Sequence, residues 1–121
     1  MKVALPHYKD EVAPCFEYSA NIAIFTIRSQ KVVDRMEFTL QSRESFDRVR
    51  LLRDQRVGTL ICGGVQASFE DLLRAGGVRV ISWVSGTVDE LLQLFIRGEL
   101  VPGAGSVSYQ VTDSSVPAQK K

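Results

Sequence analysis

At about residue 45 the apolar residues of this 121-residue chain change their period. Before that point they fall in short continuous or alternating stretches, as in strands; after it they recur every third or fourth residue, as on one face of a helix. Lys2-Val3-Ala4-Leu5 reads as a buried strand brought to a stop by Pro6, which has no N–H to donate to a central ladder. Ile22-Ala23-Ile24-Phe25-Thr26-Ile27 is almost continuously apolar, the mark of a strand covered on both faces. After the polar break Ser29-Gln30-Lys31, residues 31–40 form a third strand with Met36, Phe38 and Leu40 alternating onto one side. The three strands are expected to form an antiparallel meander.

In residues 45–56, Phe46, Val49 and Leu52 lie about one helical turn apart, and Gly58 follows as a stop. Residues 59–62 make a short buried strand. A second helix over residues 66–75 carries Phe69, Leu72 and Leu73 and ends at Gly76-Gly77. Residues 78–82 are a further strand. Thr87 and Glu90 have capping-box spacing, and the helix they open carries Val88, Leu91, Leu92 and Phe95 before Gly98. Strand–helix–strand connections favour parallel pairing. The order β-β-β-α-β-α-β-α therefore predicts a three-layer α/β sandwich, ribonuclease-H-like in outline. Its mixed five-stranded sheet has strand 1 central and helices on both faces. Residues 1–100 are expected to form this single domain. Residues 101–121, opening on Pro102-Gly103-Ala104-Gly105, are expected as a flexible tail in which Val107, Tyr109 and Val111 alternate like an edge strand.

A net charge of +1 supplies no global field for nucleic acid. No run approaches the roughly 18 apolar residues of a membrane span, and the start turns polar too early for a signal peptide. A cytoplasmic location is the default expectation, and there two cysteines are thiols or ligands more often than a bridge. One histidine and two cysteines fall short of a closed four-ligand zinc site, so a metal would need sulfide, water, a carboxylate or a second subunit. Strands 1, 2, 4 and 5 carry no carboxylate for nuclease Mg²⁺, and no third group orients a Cys–His nucleophile. The expectation is a protein that is not an enzyme. Arg43, Arg48, Arg50, Arg53 and Arg56 alternate with Glu44, Asp47 and Asp54 at ion-pair spacing and read as a solvated helix face.

The remaining chemistry sits in two turns. Cys15 lies in Val12-Ala13-Pro14-Cys15-Phe16-Glu17, and Cys62 in Leu60-Ile61-Cys62-Gly63-Gly64-Val65. Parallel pairing of strands 1 and 4 would bring Cys62, His7 and the loop bearing Cys15 to one mouth. Open α/β sheets place ligands at such carboxyl ends. Soft thiolates there suit a metal or metal–sulfur group, with His7 as accessory ligand. Gly63 and Gly64 would let the backbone approach it, with the N–H groups of the following helix aimed at the same space; Gly86-Thr87 makes a second anion-favouring turn. Plainer readings stand beside these: Cys62 as a small core hydrophobe, His7 as a hydrogen-bonded structural residue, and Gly63-Gly64 as a tight turn.

These stretches, with Met1-Lys2-Val3-Ala4-Leu5-Pro6, Ile22-Ala23-Ile24-Phe25 and Gly86-Thr87-Val88-Asp89-Glu90 through Gly98-Glu99-Leu100, resemble the dinitrogenase iron–molybdenum cofactor-biosynthesis family, which includes nitrogenase cofactor carriers and the orange molybdenum–copper protein. The resemblance spans residues 1–100. It implies a ribonuclease-H-like domain that binds an iron–molybdenum or other metal–sulfur cluster without catalysis, with cofactor-assembly proteins as partners. Many members carry histidine where Cys15 stands, glycine where Glu17 stands and alanine where Cys62 stands; the cysteines here would suit a more thiophilic cluster or metal. The alternatives are a metal-free interaction or regulatory module of the same fold, and a thiol redox sensor using a Cys15–Cys62 bridge.

Overall fold

The structure is a computed structural model that describes residues 1–104. Its elements are β1 (Lys2–Tyr8), β2 (Glu11–Val12), β3 (Asn21–Arg28), β4 (Lys31–Thr39), α1 (Phe46–Asp54), β5 (Thr59–Ile61), α2 (Ala67–Ala75), β6 (Arg79–Ile81) and α3 (Val88–Ile96). The sheet runs β4-β3-β1-β5-β6, with β1 antiparallel to β3 and parallel to β5. The expected mixed sheet with a central first strand is present, enlarged by β2, a two-residue sixth strand folded back on β1.

Burial on both faces follows from the alternation of the strands. Val3 and Leu5 point to one side, where they join Ala23, Phe25 and Ile81 against Val88, Leu91 and Leu92 of α3. Ala4, Ile22, Ile24 and Leu60 point to the other and meet Leu52 of α1 and Leu73 of α2. Met36, Phe38 and Leu40 pack on this second side, as their spacing predicts. The start of α3 is set by its capping box: Glu90 N–H donates to Thr87 Oγ1 at 3.1 Å, and Thr87 N–H donates to Glu90 Oε1 at 3.1 Å.

Two expectations change. Pro6 does not end β1, which continues to Tyr8 with Pro6 opposite Ile22. In extended backbone a residue's N–H and C=O point to the same side. The Pro6 carbonyl accepts Ala13 N–H at 2.9 Å, so the missing donor also faces away from β3 and the ladder with β3 is uninterrupted. Arg48 is not part of a solvated face. It is buried and donates to the carbonyls of Ser19, Ser42 and Glu44 at 2.9, 2.8 and 3.0 Å, tying α1 to two loops. Residues 102–104, at the start of the expected tail, form a turn in which Gly103 N–H donates to Ser82 O and Ser85 N–H to Ala104 O. The edge strand proposed around Val107, Tyr109 and Val111 lies outside the described residues.

Candidate functional site

β1 and β5 pair only at Val3–Thr59 and Ala4–Leu60. Beyond Ala4, residues 13–16 take the place beside β1 and close against the turn after β5. Ala13 N–H donates to Pro6 O, Gly64 N–H to Pro14 O at 2.7 Å, and Phe16 N–H to Gly64 O at 2.8 Å. Cys15 thereby forms a parallel bridge with Gly64 at the carboxyl edge of the sheet. Phe16 is fully buried and anchors the loop in the core.

This anchoring leaves Cys15 partly exposed, in a shallow cavity of about 360 Å³ that it lines with His7, Tyr8, Tyr18 and Asn21. Two of the three expected ligand residues thus share one mouth. The Cys15 Sγ lies 3.5 Å from Glu17 Oε2. Burial raises the Cys15 pKa above its ordinary value, and the Glu17 charge and hydrogen bond raise it further, so the group is a thiol at neutral pH. His7 has both ring nitrogens engaged: Nδ1 is 2.9 Å from Lys9 O, and Nε2 is 2.8 Å from Glu37 Oε1. To bind a metal it would have to release one of them.

Glu37 is held from its other side by Arg35 Nε at 2.7 Å. Desolvation pushes the Glu37 carboxyl up, but the hydrogen bonds and charges of His7 and Arg35 outweigh it and hold the pKa below the ordinary 4.5. A carboxyl depressed on folding stabilises the fold above its unfolded pKa, and that contribution is lost as pH falls through the depressed value. Carboxyl-carbon NMR is expected to show Glu37 titrating below the ordinary 4.5, and His7→Ala to move its midpoint upward.

Cys62 is not at this mouth. Its side chain has 0% exposure and packs with Ala4, Phe16, Leu60 and Val80, two residues along the same strand face from Leu60. Burial, with smaller contributions from Glu70, Glu17 and Cys15, pushes its thiol pKa to about 12. The structure thus places Cys62 in the core and not at the mouth where the sequence reading put this ligand, and a Cys15–Cys62 bridge has no exposed thiol on that side. Of the expected glycine cradle, Gly63 and Gly64 sit in the contact with residues 13 and 14, and Gly86 and Thr87 open α3. A Cβ on Gly63 would stand 2.6 Å from Ala13 O, so this glycine is there for the contact between the two turns. The Gly64 and Thr87 N–H groups are engaged internally, and Val88 N–H donates to Asp10 O at 2.8 Å. Among the described residues, no group of three His, Cys, Asp or Glu side chains is placed to hold a metal ion. No helix of the described residues is long and apolar enough to cross a membrane.

The family model described as dinitrogenase iron-molybdenum cofactor matches residues 1–98. The chain belongs to this family. Among solved structures it is similar to the apo form of the orange protein from Desulfovibrio gigas, with 21% identity over 86% of this chain and 93% of that one, at a TM-score of 0.70. The crystal structure of PH0822 is similar at 21% identity over 83% and 92%, with a TM-score of 0.78. A Thermotoga protein of the DUF35 family is 30% identical over 84% of this chain and 91% of its own, at a TM-score of 0.64. No curated protein matches the chain.

Within this member of the family two site residues escape a reading of the sequence. Glu17 has 3% exposure, and its Oε1 accepts Gln66 N–H at 3.2 Å at the start of α2, so the position facing that helix end already holds a carboxylate. The pairing crosses 49 residues, and no local pattern announces it. Trp83 follows β6 with φ +61 and stays 61% exposed, its ring 3.2 Å from where a Gly64 Cβ would be. It is the chain's one tryptophan and adjoins the turn that holds Cys15. Replacing Glu17 with glutamine is expected to shift the pH profile of Cys15 alkylation by iodoacetamide to lower pH. An unmoved profile would mean that Glu17 does not act on the thiol.

Proposed function

We propose that this protein binds and carries a metal–sulfur cluster of the iron–molybdenum kind, or its precursor, as cargo during cofactor assembly in the cytoplasm, without catalysing a reaction. The observation that carries the reading is the shared mouth of Cys15 and His7, built from separate segments at the carboxyl edge of the sheet. Family membership supports the class of cargo. Cys15 would be the thiolate ligand and His7 an accessory ligand freed from Lys9 or Glu37. The remaining coordination would come from the cluster's own sulfides or from a partner in assembly. Because the Cys15 thiol must lose its proton to coordinate, loading is expected to weaken as pH falls.

Anaerobic incubation with iron and thiomolybdate, followed by desalting and elemental analysis, tests the proposal. Bound metal is expected in the natural chain, with quenching of Trp83 fluorescence, and Cys15→Ser is expected to remove most of it. Equal metal in Cys15→Ser would overturn the assignment. A metal-free interaction module is the second reading, favoured by the absence of a three-donor group among the described residues. A chain purified anaerobically without Fe, Mo or Cu, and unable to take up any of them, would establish it.

A further inference from the structure

A second cavity, larger than the one at the Cys15 mouth, lies elsewhere in the domain. It is a groove of about 680 Å³ between α1 and the second half of α2, on the face of the sheet that those helices cover. Its floor is the buried core surface of Leu52 and Leu73, and Phe46 and Leu72 stand nearly half exposed at its rim. Phe46 and Phe69 meet edge to face, with ring centroids 5.5 Å apart, beside this rim.

Its charge is one-sided. Arg50, Arg53 and Arg56 line it, and no aspartate or glutamate does. Arg50 is paired with Asp47 at 2.5 Å, whereas among the described residues neither Arg53 nor Arg56 takes part in an ion pair. A chain with a net charge of only +1 thus concentrates three cations along one apolar groove. Small-molecule sites have this make-up: some hundreds of Å³, mostly apolar walls, and a few charged groups that fix one end of the ligand. Guanidinium groups match carboxylates in geometry and hydrogen-bond them in pairs.

We propose that this groove binds a small amphiphilic carboxylate, its apolar body laid on Leu52, Leu73 and Leu72 and its head held by Arg53 and Arg56. The site is separate from the Cys15 mouth and stands whether or not the chain carries a cluster.

Titration of the ¹⁵N-labelled chain with dodecanoate below its micellar concentration tests this. Saturable one-to-one binding is expected, with a dissociation constant on the order of 100 µM. The backbone shifts should be centred on residues 46–57 and 72–78. The double variant Arg53→Gln/Arg56→Gln alters exposed positions only and is expected to bind at least about tenfold more weakly, since the loss of even one of the two charge-assisted contacts is worth that much. Ala75→Trp, which places a ring at the groove from an exposed helix position, is expected to block binding while the amide spectrum remains folded. Dodecyltrimethylammonium, of equal chain length and opposite charge, is expected not to compete. Absence of saturable shifts in the groove, equal binding of the cationic amphiphile, or unchanged affinity in the arginine variant would each overturn the proposal.

Discussion

Replacing Gly63 with alanine is expected to destabilise the fold by about 3 kcal/mol or more, at the upper end of overpacking costs, and to lower the melting temperature by roughly 15 °C. The added methyl would stand 2.6 Å from Ala13 O and 2.9 Å from Pro14 O. Both atoms are backbone, and neither can turn aside as a side chain can: Ala13 is tied to Pro6, and Pro14 O accepts Gly64 N–H. Gly64→Ala is the control. Its methyl would meet Pro14 O at 3.1 Å and the exposed ring of Trp83 at 3.2 Å, which can swing away, so a cost of about 1 kcal/mol is expected. Urea unfolding of the two variants measures the difference. Equal, small losses would show that the 13–16 segment yields more readily than its hydrogen bonds imply.

The second large effect separates the two cysteines. Cys62→Ser would place a hydroxyl in an apolar pocket and is expected to cost about 2 kcal/mol, whereas Cys15→Ser, at the rim, is expected to cost less than about 0.5 kcal/mol. The two should sort oppositely in metal loading, with Cys15→Ser losing it and Cys62→Ser keeping it at temperatures where it is folded. The buried thiol also makes stability depend on pH. A pKa raised from 9.0 in the unfolded chain to about 12 in the fold means that the unfolded state loses its proton first as pH rises. The contribution is intact below pH 9.0 and declines toward pH 12, at a limiting slope of about 1.4 kcal/mol per pH unit. Cys62→Ala should flatten that decline relative to the natural chain, and an identical decline in both would show that other groups cause it.

Much of the fold is legible from periods alone. Continuous apolar runs mark β1 and β3 as covered on both sides, and the three-to-four spacing of Val88, Leu91 and Leu92 places α3 on the sheet. The site is less legible because its decisive contacts are long-range. Glu17 meets Gln66 and Gly63 meets Ala13 across some fifty residues of chain, and neither pairing leaves a local mark. The burial of Cys62 did leave one: it is two residues from Leu60, and strand alternation puts both on the same face. Arg48 likewise stands four residues before Leu52, on the inward side of α1, a position its neighbouring charges disguise.

The segment slotted between β1 and the β5 turn has a consequence for how such a scaffold diversifies. Residue 15 is positioned by main-chain bonds on either side of it, none of which involves its own side chain. Any amino acid compatible with an extended backbone can occupy that rim without rebuilding its support. If the proposed cargo site is right, donor chemistry there could drift from sulfur to nitrogen or oxygen on an unchanged platform, and single replacements at this one address would alter which cargo is held.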